Sequence, residues 1–190
     1  LNAQQWGYLK NDALIDSKKA PLYTQEQLDQ LGQGTDWQAE AFAAAPIQSH
    51  SLSISAGTEK TRILLSGNYF NQEGIIVNTG FNRYSGRLNL DHDVNTKFRI
   101  GVNLSGSLTH ADVAPDGLVQ NILAMVPVVP VRDADGNFTA NSSYGSAVAN
   151  PINTLYNQIN VTNTTRFLLN GFGEYKIIEG LTAKISLGSD

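Results

Sequence analysis

The chain has 190 residues, only 30 of them charged, and a formal charge of −4 with 13 Lys plus Arg scattered along it, only Lys18 and Lys19 being adjacent; this excludes a nucleic-acid footprint, which needs clustered cations. Zero cysteine excludes a disulfide framework, a thiolate zinc site and a cysteine nucleophile together. The 56 Asn, Gln, Ser and Thr residues and 17 Gly suit strands and turns more than helices, and no apolar run is long enough for a membrane helix, which leaves open a membrane β-barrel with strands of about 9 to 11 residues.

Residues 1–46 read as a long loop carrying short helices. Asn2 is placed to cap a helix through Trp6 and Leu9, and Thr24 to Gln27 has capping-box spacing before Leu28 and Leu31, with Gly32 as its stop. Pro46 resets the chain to extended geometry.

Four strands are expected within residues 47–109. Residues 49–57 oppose Leu52, Ile54 and Ala56 to four serines, and residues 61–71 are a strand by composition and position more than by alternation. In residues 81–91 the even positions Tyr84, Gly86, Leu88 and Leu90 are apolar or small, while Arg83, Ser85, Arg87, Asn89 and Asp91 are polar. Residues 98–109 repeat this pattern from Phe98 to Thr109.

Residues 110–160 form a second long loop. Asp116 is expected to cap a helix over 117–126 that Pro127 stops, and Asn150-Pro151 to start another at cap and first position. Two further strands occupy residues 161–190: a blurred one at 162–176, with Leu168 and Phe172 among the polar positions, and a clean one at 181–187.

The connections alternate in length, short at 58–60, 92–97 and 177–180 but long or intermediate elsewhere. Tight turns at one end and long excursions at the other are the layout of outer-membrane barrels. The fold class expected is therefore all-β: a segment of a large antiparallel up-and-down transmembrane β-barrel with long, partly helical extracellular loops. Six strands in a row leave two open edges, so the chain is read as an excerpt of a longer protein whose other strands close the barrel.

Chemical motifs are sparse. His50, His92 and His110 have no partner at metal-ligand spacing, and no GxSxG, P-loop or GxGxxG string occurs. The Asp133-Ala-Asp135-Gly136-Asn137 run lacks the spacing of an EF-hand and reads as a hairpin turn. Asn-x-Ser/Thr triplets at Asn103, Asn137, Asn141, Asn160 and Asn163 follow from composition. Tyr69, Phe70, Phe81 and Tyr84, with Phe167, Phe172 and Tyr175, suit an interfacial girdle; Trp6, Trp37, Tyr144 and Tyr156 either pack loop cores or stack on sugars. No catalytic or metal-binding residue and no cofactor is expected, and no substrate-binding residue is assigned.

The run GTDWQAEAFAAAPIQSHSLSISAGTEKTRILLSGNYFNQEGIIVNTGFNRYSGRLNLD, continued by FRIGVNLSGSLT and later VPVVPVRDADGNF, resembles the SusC/RagA family of TonB-dependent outer-membrane transporters. It departs from the family pattern at Ala56, Gly57 and Thr58, where GGS is more usual, and at Ala43 to Ala45, where a bulkier charged segment is usual. On this resemblance, a signal peptide, TonB box, plug domain and the rest of the barrel are expected outside this stretch. The resemblance implies a barrel of about 22 strands with a plugged lumen, located in the bacterial outer membrane. It further implies a non-enzymatic importer of glycans or oligopeptides, partnered by a SusD-like surface lipoprotein, the TonB-ExbB-ExbD complex and outer-membrane lipid. A passive porin or adhesin barrel, and a soluble carbohydrate-binding β-sandwich, are the alternatives.

Overall fold

A computed structural model describes residues 1–139 and 148–190, which divide into two compact units. Ala45–Gly74, Thr79–Val113 and Val161–Asp190 form a sheet unit; the segments Leu1–Ala44, Ile75–Asn78 and Ala114–Asn160 contribute a helical unit.

The sheet has six antiparallel strands in sequence order: β1 Ile47–Gly57, β2 Thr61–Glu73, β3 Gly80–Asp93, β4 Phe98–Asp112, β5 Val161–Ile178 and β6 Leu181–Ser189. Most run well beyond the usual 5 to 6 residues of globular strands. The strand expected to end at 109 continues through Asp112, because Ala111 and Asp112 pair with Thr162 and Val161; the loop expected from 110 starts three residues later. The meander is not closed: β1 and β6 are edges, and Leu52, Ile54, Ile185 and Leu187 are exposed.

Register resolves the two strands whose alternation is indistinct. In β2, Ile63, Leu65, Gly67 and Tyr69 oppose Leu90, Leu88, Gly86 and Tyr84, so they share that strand's apolar face and leave Arg62, Leu64, Ser66 and Asn68 on the other. In β5, Leu168 and Phe172 do lie on the polar face, opposite Ser105 and Gly101. A Cβ at Gly101 would sit 2.2 Å from the Phe172 ring, so the aromatic fills space that only glycine leaves. A register shift between Lys176 and Ile178 breaks the alternation further.

The helical unit contains α1 Ala3–Asp16, α2 Gln25–Gln30, α3 Trp37–Ala41, α4 Leu118–Ala124 and α5 Pro151–Asn157. Capping boxes at Asn2/Gln5 and Thr24/Gln27 start the first two. The helix α3 has no counterpart among the expected elements; Asp36 caps it by accepting from the Gln38 and Ala39 amides at 3.1 and 3.0 Å. Asp116 is not the cap of α4. That position is Gly117, in the left-handed region at φ 74° and with no side-chain cap bond, a geometry glycine adopts without steric cost.

Segments far apart in sequence build one core here. Trp37 and Ala41 pack with Leu118, Ile122, Met125, Val129, Ile152 and Leu155, all buried. Two buried asparagines tie the loops. Asn11 accepts from the Leu22 and Tyr23 amides and donates to the Tyr23 carbonyl. Asn150 caps α5 through the Ile152 and Asn153 amides while donating to the Val131 and Thr139 carbonyls at 2.9 and 3.1 Å. The Asp133 to Asn137 segment is a hairpin turn, with Asp133 accepting from Asp135 and Asn137 amides and Arg132 bridging to Phe138.

Candidate functional site

A sheet with one wet and one apolar face can act through either, so each is built row by row from the register. Its long connections join one end, at Ile47, Glu73, Gly80, Asp112 and Val161, and its short turns the other.

On the apolar face, the row nearest the long-connection end is Glu73, Gly80, Asp112 and Val161; the next is Gln48, Asn71, Asn82, His110 and Asn163, followed by His50, Tyr69, Tyr84, Leu108 and Thr165. Tyr69 and Tyr84 rings lie 4.9 Å apart. Below them come Gly67, Gly86 and Gly106 flanked by Leu52 and Phe167, then Ile54, Leu65, Leu88, Leu104 and Leu169. Near the turn end Phe98 opposes Tyr175. Amides and imidazole, then aromatics, then aliphatics, then aromatics again is the sequence of environments met from headgroup to bilayer core and out. Phe70, Phe81 and Phe172 do not join this girdle, contrary to expectation: each falls on the polar face, one residue out of phase with Tyr69, Asn82 or Gly171.

The polar face divides in two. Toward the turn end, acids and bases interleave across strands: Arg62 pairs with Asp93 at 3.0 Å, Arg99 with Asp91 at 2.8 Å and Lys184 with Glu174 at 2.8 Å. The Lys184 ammonium also lies 4.1 Å from the Phe172 ring centroid. Such partly exposed pairs are each worth about 0 to 1 kcal/mol; their effect is to fix side-chain positions across neighbouring strands. Toward the long-connection end the face is carpeted by Ser51, Ser53, Ser66, Asn68, Ser85, Ser105 and Ser107, with Asn89 beside Asn103 and Asn170 below. Hydroxyls and amides can hydrogen-bond a polar solute without holding it by charge.

The other residues singled out by sequence are dispersed. His50 stacks on Tyr69, His92 Nδ1 lies 2.8 Å from Thr61 Oγ1, and His110 Nδ1 lies 2.7 Å from Asn163 Oδ1. Among the described residues no group of three or more His, Asp or Glu is arranged to hold a metal ion. Trp37 is a core residue whose indole N–H donates to the Val126 carbonyl at 3.1 Å, so it is not free to stack on a sugar. Trp6 lines a cleft in the helical unit with Gln33, Asp36 and Gln38, and Tyr156 is exposed near Phe138. Tyr144 and Asn141 lie outside the described residues.

A six-stranded meander with a bilayer-graded apolar face and a wet opposite face defines a stretch of wall from an outer-membrane-type β-barrel. No family model matches the chain. It is 27% identical over 188 residues, 92% of its length, to TonB-dependent receptor P3 of Formosa agariphila, and 28% identical over 119 residues, 58% of its length, to TonB-dependent receptor SusC of Bacteroides thetaiotaomicron. It spans 19% and 11% of those relatives. The structure of the RagAB peptide transporter shares the fold, at TM-score 0.76 and 22% identity over 99% of this chain and 25% of that one. Over nearly its whole length the chain is therefore similar to a stretch of TonB-dependent receptors, SusC among them, and it folds as a segment of such an outer-membrane barrel wall.

Proposed function

We propose that this segment forms barrel wall and outer loops of an importer that carries glycans or oligopeptides across the outer membrane. The observation that carries the reading is the two-faced sheet, apolar over a bilayer's height on one side and hydroxyl- and amide-lined on the other. A sugar-binding β-sandwich would cover its apolar face with a second sheet, and none is present among the described residues. The likeness to a peptide transporter and to a SusC receptor supports uptake over passive diffusion. No bond-making chemistry is assigned to the segment.

In this reading residues 1–46, 113–139 and 148–160 are extracellular, and the turns at 58–60, 95–97 and 179–180 are periplasmic. The helical unit is the platform for a SusD-like lipoprotein, supported by the exposed Val119 and Leu123 on α4, apolar side chains that water does not favour. Energy comes from TonB-ExbB-ExbD through parts of the protein beyond this segment.

The test uses the full-length transporter in its own cells. A cysteine at Asp135, the hairpin tip, reacts with an impermeant maleimide in intact cells, while one at Asn95 reacts only after the outer membrane is opened. Affinity capture recovers a surface lipoprotein, and loss of TonB abolishes uptake of the oligomers that the transporter supports. Uptake that persists without TonB would establish a passive porin instead.

A further inference from the structure

The cations of the polar face fall into two populations. Arg62, Arg99 and Lys184, toward the turn end, each hold a carboxylate, and Lys176 stands by itself beside the register shift at the end of β5. Arg83, Arg87 and Arg166, toward the long-connection end, form no ion pair with any described Asp or Glu. Arg83 stacks over Phe70 at 5.5 Å, and all three are exposed. From the row of Ser49 to the row of Asn89 that face carries no acidic residue at all. A chain with net charge −4 thus leaves three arginines unbalanced on one stretch of wall.

Register fixes their spacing. Arg83 and Arg87 lie four residues apart on β3, and Arg166 on β5 shares the row of Ser85 and Ser107, midway between them. With about 3.4 Å per residue and about 4.8 Å between strands, the three backbone positions form a triangle with sides of about 12 to 14 Å. That exceeds the roughly 8 to 10 Å screening length at ordinary ionic strength, so each arginine acts on its own anionic group, and a ligand that engages all three must carry such groups at intervals along its length. The guanidinium fork matches a carboxylate or a sulfate in two hydrogen bonds.

We propose, resting on the importer reading above, that this wall binds an acidic oligosaccharide: a hydroxyl-dense chain bearing carboxylate or sulfate groups that the three arginines grip in turn. The groups between the arginines favour sugar over peptide. Ser85, Ser105, Ser107 and Asn68 present hydroxyls and an amide, whereas a peptide's cationic side chains would find no carboxylate there and its apolar ones only Leu64, Leu168 and the Phe70–Phe81 pair above, whose Phe70 ring Arg83 already covers.

The experiment measures binding to the full-length transporter, with its co-purifying partner, in lipid nanodiscs. The probes are labelled tetragalacturonate, a sulfated chondroitin tetrasaccharide, neutral maltotetraose and hexaglutamate. At least one acidic sugar binds, with affinity that falls as salt rises; R83Q/R87Q/R166Q weakens it at least 30-fold, and the corresponding lysine variant recovers part of the loss. Which acidic sugar binds separates carboxylate from sulfate recognition. The proposal is overturned if neither acidic sugar binds, if the triple variant binds them as well as the parent, or if hexaglutamate binds more tightly than both. It is also overturned if R87Q or R166Q alone prevents barrel assembly, since the arginines would then be structural partners of another part of the protein. TonB-dependent uptake and lipoprotein recovery are scored in parallel, and remain intact when only the acidic-sugar proposal fails.

Discussion

Replacing Leu88 by Arg, and separately Asn89 by Arg, in the full-length transporter puts the same charge on adjacent residues of β3 that face opposite ways. Leu88 lies between Leu65 and Leu104 on the apolar face, and Asn89 between Leu64 and Asn103 on the polar one. The upper aromatic row, where Tyr84 opposes Leu108, and the lower, where Phe98 opposes Tyr175, are ten residues apart along β4. At about 3.4 Å per residue that is about 34 Å of strand. A tilt of about 45° reduces it to about 24 Å of height, close to the roughly 25 Å apolar band of such barrels. Leu88 is four residues below Tyr84, hence about 10 Å deep and within about 2 Å of the midplane. An Arg there costs about 2 to 4 kcal/mol, a more than tenfold loss in the folded-to-unfolded ratio, since about 1.4 kcal/mol is a factor of ten, whereas a surface Arg in the wet lumen changes stability by about 0.5 kcal/mol or less. Val102 and Asn103 on β4 repeat the comparison at the mirrored depth, four residues above Phe98. Urea titration followed by the heat-modifiable gel shift reads both pairs. Asparagine variants as damaging as the apolar ones in both pairs would refute the lipid-and-lumen assignment and indicate a sheet packed on two sides.

Gly101→Ala places a methyl 2.2 Å from the Phe172 ring and 2.7 Å from an Asp91 carboxylate oxygen, and an overpacked site of this kind costs about 1 to 3 kcal/mol. Phe172→Ala on the same chain recovers at least about 1 kcal/mol of that, measured by a double-mutant cycle in urea; strictly additive effects would show that the contact is not what requires glycine. Asn150→Leu strips the cap from α5 and removes a donor from the Val131 and Thr139 carbonyls, of which the first keeps the Thr139 amide, destabilising the helical unit by about 2 to 4 kcal/mol. Asn150→Asp keeps the cap and loses less. Limited proteolysis within 116–157 reports both, and a leucine variant as resistant as the parent contradicts the bridging role.

Much of this protein was legible because its signals are local. Alternation in β1, β3, β4 and β6 has a period of two residues, and the caps at Asn2, Thr24 and Asn150 act within three residues, so both could be read directly along the chain. The cap at Asp36 is equally local, but the helix it starts has only five residues, too few for an apolar period to mark it in the sequence. The Asn150 amide shows the boundary within one side chain: its oxygen accepts from the amides two and three residues on, while its nitrogen reaches carbonyls 11 and 19 residues back.

What needed the tertiary structure is everything set by register across strands. The polar-face position of Phe172 depends on Gly101, which lies 71 residues earlier and meets it only when β4 pairs with β5. The division of aromatics between Tyr69, in the lipid girdle, and Phe70, in the lumen, depends on which face each neighbour's pairing imposes. The three unpaired arginines are ordinary scattered cations until Arg166 is carried into the row of Ser85 by a connection of about fifty residues. Side-chain alternation is written into one strand by backbone geometry, but the partner and its offset are chosen by hydrogen bonds between segments far apart in sequence, and a one-residue slip would exchange the lipid face for the lumen.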